Sequence, residues 1–448
     1  MADQQADSSA EPAPASGPAF ISGQPGKAKK GFLGWVIANT ALNSAFGSLT
    51  FGGSIFVLFL DYLGLTKADI GLVLALFPFC GLLALVVGPI SARVGYKKTY
   101  LIFYGLRKPV LLLLLAAPMV SRQYGHAAVA TYVSGVMLTF AIFRAIAETG
   151  YFPWYCEFVP ASIRGRFSAV SNLVSVSTIA LTVWLASYAL ARSEGATGFL
   201  TLICVGVGLG LLSVAMMLPV PGGHRVKGSL PLGHYLGGLR QGLSDRRFIW
   251  FLLGVGLYVV GMSGNSFVML YMRDLVGLQP AQVVRLEPIS MVGGMTSGFL
   301  AGWASDRYGG RPVVLVGVIG ILALPILWLL MPHHSPASLY LAYAGAFWGG
   351  VFGTTVGIST TRLLFSELIP ADRSMNYTSI NYAATGLFGA MGPLLWGNLL
   401  THFKDFGGNV LGLSTNQYTP QLVSVFVLVA LAGTCFARVT VRRPAAAA

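Results

Sequence analysis

Charge is scarce in this 448-residue chain: Asp, Glu, Lys and Arg together make up 10% of it, against about 25% in ordinary globular proteins. A soluble protein of this length could not cover its surface with so few charged groups, so a string of soluble domains is excluded. Cysteine is scarce too. Cys80, Cys156, Cys204 and Cys435 lie in or beside apolar stretches, with no C-x-x-C and no metal-ligand spacing. They are expected as small buried hydrophobes, and a disulfide scaffold is excluded. Catalytic patterns are missing as well: no H-E-x-x-H, no P-loop, no dinucleotide fingerprint and no Ser-His-Asp arrangement, which leaves an enzyme, a metal site or a bound cofactor without residues to rest on. The absent P-loop also argues against a fused ATPase.

What the chain has in quantity is apolar surface: 55% hydrophobic residues and a mean hydropathy of +0.70. A helical membrane span needs about 20 apolar residues. Twelve such runs are found, at about 32–60, 68–89, 99–120, 127–150, 167–191, 197–219, 248–272, 282–303, 312–332, 338–364, 376–400 and 421–438. They are long and continuous and do not alternate with period two, which excludes a transmembrane β-barrel. An all-α membrane protein is therefore expected. Residues 1–31 are polar and rich in Ala, Pro, Ser and Gln, a composition that builds no core, and Asp3, Asp7 and Glu11 stand where a cleavable signal would be basic.

The net charge of +14, from 29 basic and 15 acidic residues, would point to nucleic acid on a soluble protein. Sorting it by loop gives another answer. If the N-terminus is cytoplasmic, twenty basic residues fall on that side, among them Lys27, Lys29, Lys30, Arg93, Lys97, Lys98, Arg164, Arg166, Arg307, Arg311 and Arg373. Six fall on the other: Lys67, Arg122, Arg192, Arg273, Arg285 and Lys404. This asymmetry places both termini in the cytoplasm. It accounts for most of the basic excess without nucleic acid, and the bilayer is the expected partner.

The chain also repeats itself. Residues 59–65 read FLDYLGL and 272–278 read MRDLVGL, which maps Asp61 onto Asp274 and Gly64 onto Gly277 at an offset of 213. Residues 88–95 read GPISARVG and 302–309 read GWASDRYG, an offset of 214; 157–161 read EFVPA and 367–371 read ELIPA, an offset of 210. The expected organisation is a disordered tail (1–31), a six-helix bundle (32–219), a cytoplasmic linker (220–247), a second six-helix bundle (248–438) and a short tail (439–448). An even number of spans per half makes the repeats parallel, with a polar site between them near the midplane.

At these residues the chain resembles the major facilitator superfamily, over about residues 32 to 438. The family pattern G-x-x-x-D-R-x-G-R-R follows the second helix of each half. The second copy matches with Gly302, Asp306, Arg307, Gly309 and Arg311. The first has Gly88, Arg93, Gly95, Lys97 and Lys98, with Ala92 where the family has its Asp. The resemblance implies a twelve-helix carrier working by alternating access, in which this loop and the clamps Glu157/Arg164 and Glu367/Arg373 gate the cytoplasmic side. The motifs carry no information on the substrate. Read without the family, the same glycines let one helix end and the next begin within a few residues, and the basic residues sit at an anionic surface.

Charges inside spans are costly, about 2.5–3.5 kcal/mol each on insertion scales, and usually functional. Arg107 and Lys108 lie in the third span, Arg107 about 12 Å along the axis from Thr99. Being adjacent, the two point about 100° apart, which predicts that they do not share a partner; Lys108 is expected to snorkel to the surface. Arg144 and Glu148 are four apart on one face of the fourth span. They read either as a structural pair or as an anion site and a proton carrier. Glu287, beside Pro288, reads as a gate or an outward-facing proton site. Neutral candidates for the cavity are Asn39, Asn43, Ser44, Asn172, Tyr258, Asn265, Thr355, Asn381 and Tyr382, while Trp154 and Trp348 read as packing or interface anchors.

The reading that joins these is a secondary transporter of a small solute, an organic anion by preference, with a proton as coupling ion, monomeric and multi-pass in the plasma membrane, the bacterial inner membrane in particular. Arg144 and Arg107 would meet the anion and Glu148 the proton. A hydrophobic-drug exporter is disfavoured because residues 167–190 contain neither Gly nor Pro. A non-transporting receptor or assembly factor of the same fold is the third reading.

Overall fold

The computed structural model describes residues 31–83, 87, 91, 93–159, 161–223, 243–369, 374–410 and 413–440. The first apolar run is two helices, α1 (Gly31–Thr50) and α2 (Gly53–Tyr62). They meet where the N–H groups of Phe51 and Gly52 both donate to the Gly47 carbonyl, at 3.2 and 2.8 Å, and Gly53 takes a φ of +67° that a side chain would disfavour. Helix α3 (Lys67–Gly81) starts on a capping box, the Thr66 hydroxyl accepting from the Asp69 N–H and the Asp69 carboxylate from the Thr66 N–H. Helix α4 (Tyr96–Val110) runs through a 3₁₀ turn, Leu111–Ala116, into α5 (Ala117–Phe158). Gly125 breaks α5 with φ +78° and ψ −171°, which separates the runs expected at 99–120 and 127–150. Helices α6 (Ala161–Ala191) and α7 (Thr197–Met217) follow.

The second part of the chain begins with α8 (Arg246–Ser263), capped by Asp245, and α9 (Asn265–Asp274), broken apart at Gly264. Next come α10 (Pro280–Val284), α11 (Leu286–Tyr308), α12 (Gly310–Leu329), α13 (Pro336–Arg362) with a π-helical turn over Leu363–Leu368, α14 (Ser374–His402) and α15 (Thr419–Arg438). Eight helical stretches among the described residues are long and apolar enough to cross a bilayer. The all-α expectation needs one amendment: Gly408–Val410 and Leu413–Thr415 pair as a short antiparallel hairpin, β1–β2. It lies in the glycine-containing connection before α15, where no apolar helical run competes.

The sequence repeat recurs in the backbone. Gly64 and Gly277 have φ of +82° and +83°, and Gly95 and Gly309 have +107° and +90°, so each repeat glycine makes the same left-handed turn as its counterpart. Packing repeats too. In the first part α1 packs on α6 and α7, α3 on α5, and α4 on α5 and α7; in the second α8 packs on α14 and α15, α11 on α13, and α12 on α13 and α15. Across the two parts α3 meets α14, α6 meets α10 and α11, and the buried half-helices α2 and α9 meet each other. We call the end of the bundle that carries Gly31 and Arg438 the terminal end, and the end at α2 and α9 the distal end.

Small residues set how closely these helices approach. Gly293 and Gly350 bring α11 against α13: a Cβ on Gly350 would collide with the Ser290 carbonyl. The glycines of α14 act likewise. Gly389 lies on Pro78, Gly392 on Ser263 and Gly397 on the Lys67 carbonyl, and α14 stays continuous through Pro393. The cysteine expectation holds for Cys80 and Cys435, which are buried; Cys204 is exposed on α7, and the Cys156 side chain lies outside the described residues. Gly350→Ala should cost about 1–3 kcal/mol through overpacking, seen as a lower melting temperature of the purified protein; an unchanged value would mean that α11 and α13 can part without loss.

Candidate functional site

Helix α4 carries Tyr100, Tyr104, Arg107 and Lys108 into the interior of the first part, against α1, α5 and α7. Tyr104 is buried; its hydroxyl donates to Asn39 Oδ1 at 2.7 Å and lies 3.0 Å from the Ser213 hydroxyl. Lys108 Nζ donates to Asn43 Oδ1 at 2.6 Å and Arg107 Nη2 donates to the same oxygen at 3.2 Å. Two sequence expectations fail here. The adjacent cations do share a partner, because their long, flexible side chains reach round the 100° between their Cα–Cβ bonds. Lys108 also does not snorkel: it is fully buried. Its ammonium lies over the rings of Phe46 and Tyr104, at 3.7 and 4.2 Å from their centroids, a contact that offsets part of the desolvation.

Arg107 lies against the rings of Tyr104 and Phe140, at 4.6 and 5.8 Å. Phe140, Arg144 and Glu148 follow one another at four-residue steps along α5 and so share a face. Arg144 Nε donates to Glu148 Oε1 at 2.7 Å, and the two side chains are 35% and 48% exposed. Among the described residues this corner of the molecule therefore holds three cations, Arg107, Lys108 and Arg144, against one carboxylate in an ion pair, Glu148.

The neutral candidates separate. Ser44 bonds Ser175 across α1 and α6 at 2.7 Å, and Thr355 donates within its own helix to Val351. Asn172 and Tyr382 are exposed, and Tyr258 is partly buried. Asn265 lines a small apolar recess with Val268, Trp328 and Leu422. Asn381 keeps its Oδ1 buried without a hydrogen-bond partner. Trp154 is buried and donates to the Pro221 carbonyl at 2.8 Å, while the exposed Trp348 donates to Gly320 at 2.8 Å.

The distal end is closed by polar contacts between the two parts. Lys67 reaches Asp61 at 2.8 Å and Asp274 at 3.1 Å; Arg273 reaches Asp61 at 2.5 Å and Asp274 at 2.6 Å. Tyr418 donates to Asp274 at 2.7 Å. One level deeper, Glu287 Oε2 accepts from both the N–H and the hydroxyl of Ser54 at the start of α2, at 3.0 and 2.9 Å, where a carboxylate also complements the helix N-terminus. Arg285 is engaged elsewhere, donating to the Ser187 hydroxyl at 3.1 Å and lying over the rings of Trp184 and Tyr188. Sequence reasoning missed this closure. Its signal was present: Asp61 and Asp274 are repeat partners, and Lys67 and Arg273 are two of the few basic residues on that side.

The family model for the major facilitator superfamily matches residues 37–393. The chain belongs to the major facilitator superfamily. The ectoine/proline transporter ProP of Corynebacterium glutamicum is 23% identical over 340 residues, 69% of this chain, and the chain spans 65% of that relative's length. Among solved structures, the nucleoside transporter NupG is 15% identical with a TM-score of 0.66, covering 91% of this chain and 98% of its own. The D-xylose–proton symporter is 16% identical with a TM-score of 0.66 and the same coverage. The inward-open xylose transporter XylE of E. coli is 16% identical with a TM-score of 0.65, covering 92% and 97%. At these identities the structures share the fold. The family to which the chain belongs is one of membrane transporters.

The superfamily loop is intact in its second copy. Asp306 pairs with Arg362, Arg362 lies 3.7 Å from Glu367, and Glu367 accepts from the Gly310 N–H at 2.6 Å. Arg311 donates to the Ala437 carbonyl, and Arg307 lies over the rings of Trp303 and Tyr308. Gly302 has open space around it. The first copy is held differently. Glu157 accepts from the Gly223 N–H at 2.6 Å, and Lys97 donates to the carbonyls of Leu218 and Val220 at 2.9 and 2.7 Å. Arg93 is exposed. Gly88, Ala92, Pro370 and Arg373 lie outside the described residues, as do the side chains of Arg164 and Arg166. A double-mutant cycle on Lys67→Ala and Asp274→Ala should give a coupling of up to about 1 kcal/mol, since both side chains remain partly exposed; strict additivity would show that this cross-pair does not hold the distal end.

Proposed function

We propose that this chain is a twelve-helix secondary active transporter, two six-helix halves divided at residues 220–247, with both termini in the cytoplasm of a bacterial cell and the bundle in its inner membrane as a monomer. The basic residues of the terminal end support that orientation, and the distal end then faces outward. Closed by Lys67, Arg273 and Glu287 at that end, the described arrangement corresponds to the inward-facing half of an alternating-access cycle.

The substrate we infer is a small organic anion. One observation carries this: Arg107, Lys108 and Arg144 gather around α4 and α5 with Glu148 as the one carboxylate paired among them. Buried or half-buried cations inside a bilayer normally have counter-charges, and an anionic cargo supplies what the protein withholds. The names of the structural neighbours span nucleosides and a pentose, so the fold leaves the choice of cargo to such side chains.

Coupling follows from the Arg144–Glu148 pair. While Glu148 is ionised it occupies Arg144. A proton on Glu148 weakens that bond and frees the guanidinium for the substrate anion, so proton and substrate load together and leave together. Asn39 and Asn43 border the same corner from α1; Tyr258, Asn265, Asn381 and Tyr382 are the facing candidates in the second half. Glu287, which Ser54 holds at the distal closure, is a second candidate for proton control.

Glu148→Gln removes the titratable group and keeps its shape. In liposomes the variant should exchange substrate across the membrane at near wild-type rates and lose uphill uptake driven by a pH gradient. Wild-type proton-driven uptake by that variant would sink the assignment of Glu148.

A further inference from the structure

The most deeply buried cations among the described residues are neighbours in sequence and share one neutral oxygen. Lys108 is completely buried and Arg107 is 5% exposed. Among the described residues no carboxylate lies within ion-pair distance of either side chain. The rings of Phe46, Tyr104 and Phe140 shelter them but bring no negative charge. The Asn43 amide oxygen is thus asked to serve two cations at once, at 2.6 and 3.2 Å.

The guanidinium geometry says what is missing. Nε and Nη2 form one edge of the fork, the edge that takes a carboxylate through two parallel bonds. On Arg107 that edge is half used: Nη2 holds Asn43, and Nε is buried without a hydrogen-bond partner. A single amide oxygen occupies the place where a planar, two-oxygen anion would satisfy Nε, Nη2 and the Lys108 ammonium together. The Tyr104 and Phe140 rings lie against the guanidinium at 4.6 and 5.8 Å. The guanidinium edge can hold a carboxylate or a phosphate through two bonds, and of the two the singly charged, smaller carboxylate costs less to bury in so enclosed a place.

We propose that Arg107 and Lys108 form the seat for the carboxylate of the substrate, and that Asn43 is its placeholder. In the described state the Asn43 oxygen fills the seat. When cargo arrives, the amide swings aside and the carboxylate takes the Nε–Nη2 edge of Arg107 and the Lys108 ammonium. This rests on the anion-transport reading and refines it: Arg144, half exposed, receives the anion, and the buried pair holds it. Asn43 sits on α1, nine residues before Gly52, where α1 gives way to α2 and its Ser54–Glu287 contact.

The chain can supply its own test anion. Asn43→Asp puts a permanent carboxylate against both cations. The purified variant should melt about 3 °C or more above the wild type, and adding Lys108→Met to it should cancel the gain. Sodium acetate at fixed ionic strength should raise the melting temperature of the wild type and leave Asn43→Asp unmoved, and inorganic phosphate should move neither. Asn43→Asp melting at or below the wild type, an acetate response surviving in it, or a wild type indifferent to acetate would overturn the seat. Equal stabilisation by phosphate would overturn its carboxylate selectivity. Failure here leaves Glu148 untouched, because proton coupling is read from Glu148→Gln in liposomes; failure there leaves the seat standing.

Discussion

A charge placed in hydrocarbon must find a partner, and the arrangement of this molecule follows from that constraint more than from any other. With about half the usual density of charged residues, each one in a helical stretch stands out. Where a partner is at hand the charge becomes part of the architecture, as at the distal quartet and in the Asp306–Arg362–Glu367 chain. Where none is at hand among the described residues, as at Arg107 and Lys108, the proposed anionic cargo would meet the surplus. The functional reading grows from that one distinction.

Apolar packing supplies the frame on which those charges are set. Lipid offers no hydrophobic drive for helix association, so close fit does the work. The glycines of α11, α13 and α14 bring helices into near backbone contact, and the tight faces lie both within each half and across the junction of α3 with α14. A junction made of small residues has few side chains to disentangle when the halves tilt. The same internal repeat that duplicates the packing also duplicates the turns at Gly64 and Gly277 and at Gly95 and Gly309.

Much of this was legible in the residues themselves. Helices follow from long apolar runs, the repeat from three matches near one offset, and the superfamily from Gly302, Asp306, Arg307, Gly309 and Arg311. The pairing of Arg144 with Glu148 follows from a spacing of four. Other features were hidden because they depend on side-chain reach or on contacts far apart in sequence. A 100° helical angle could not reveal that Arg107 and Lys108 bend onto one oxygen of Asn43. Nor could hydropathy show that the first run breaks at Gly53, or that Glu287 would cap the resulting half-helix from 233 residues away. Nor does the sequence show that the glycines of α14 are contact surfaces for Pro78, Ser263 and the Lys67 carbonyl.

The distal quartet has one further property. Each half brings one acid and one base: Asp61 with Lys67, Asp274 with Arg273. Each cation touches the carboxylate of its own half as well as that of the other. In the proposed cycle, parting at this end would leave Lys67 with Asp61 and Arg273 with Asp274, so neither side would carry a stranded charge. The closure would then be an exchange of partners between two couples that are each already neutral.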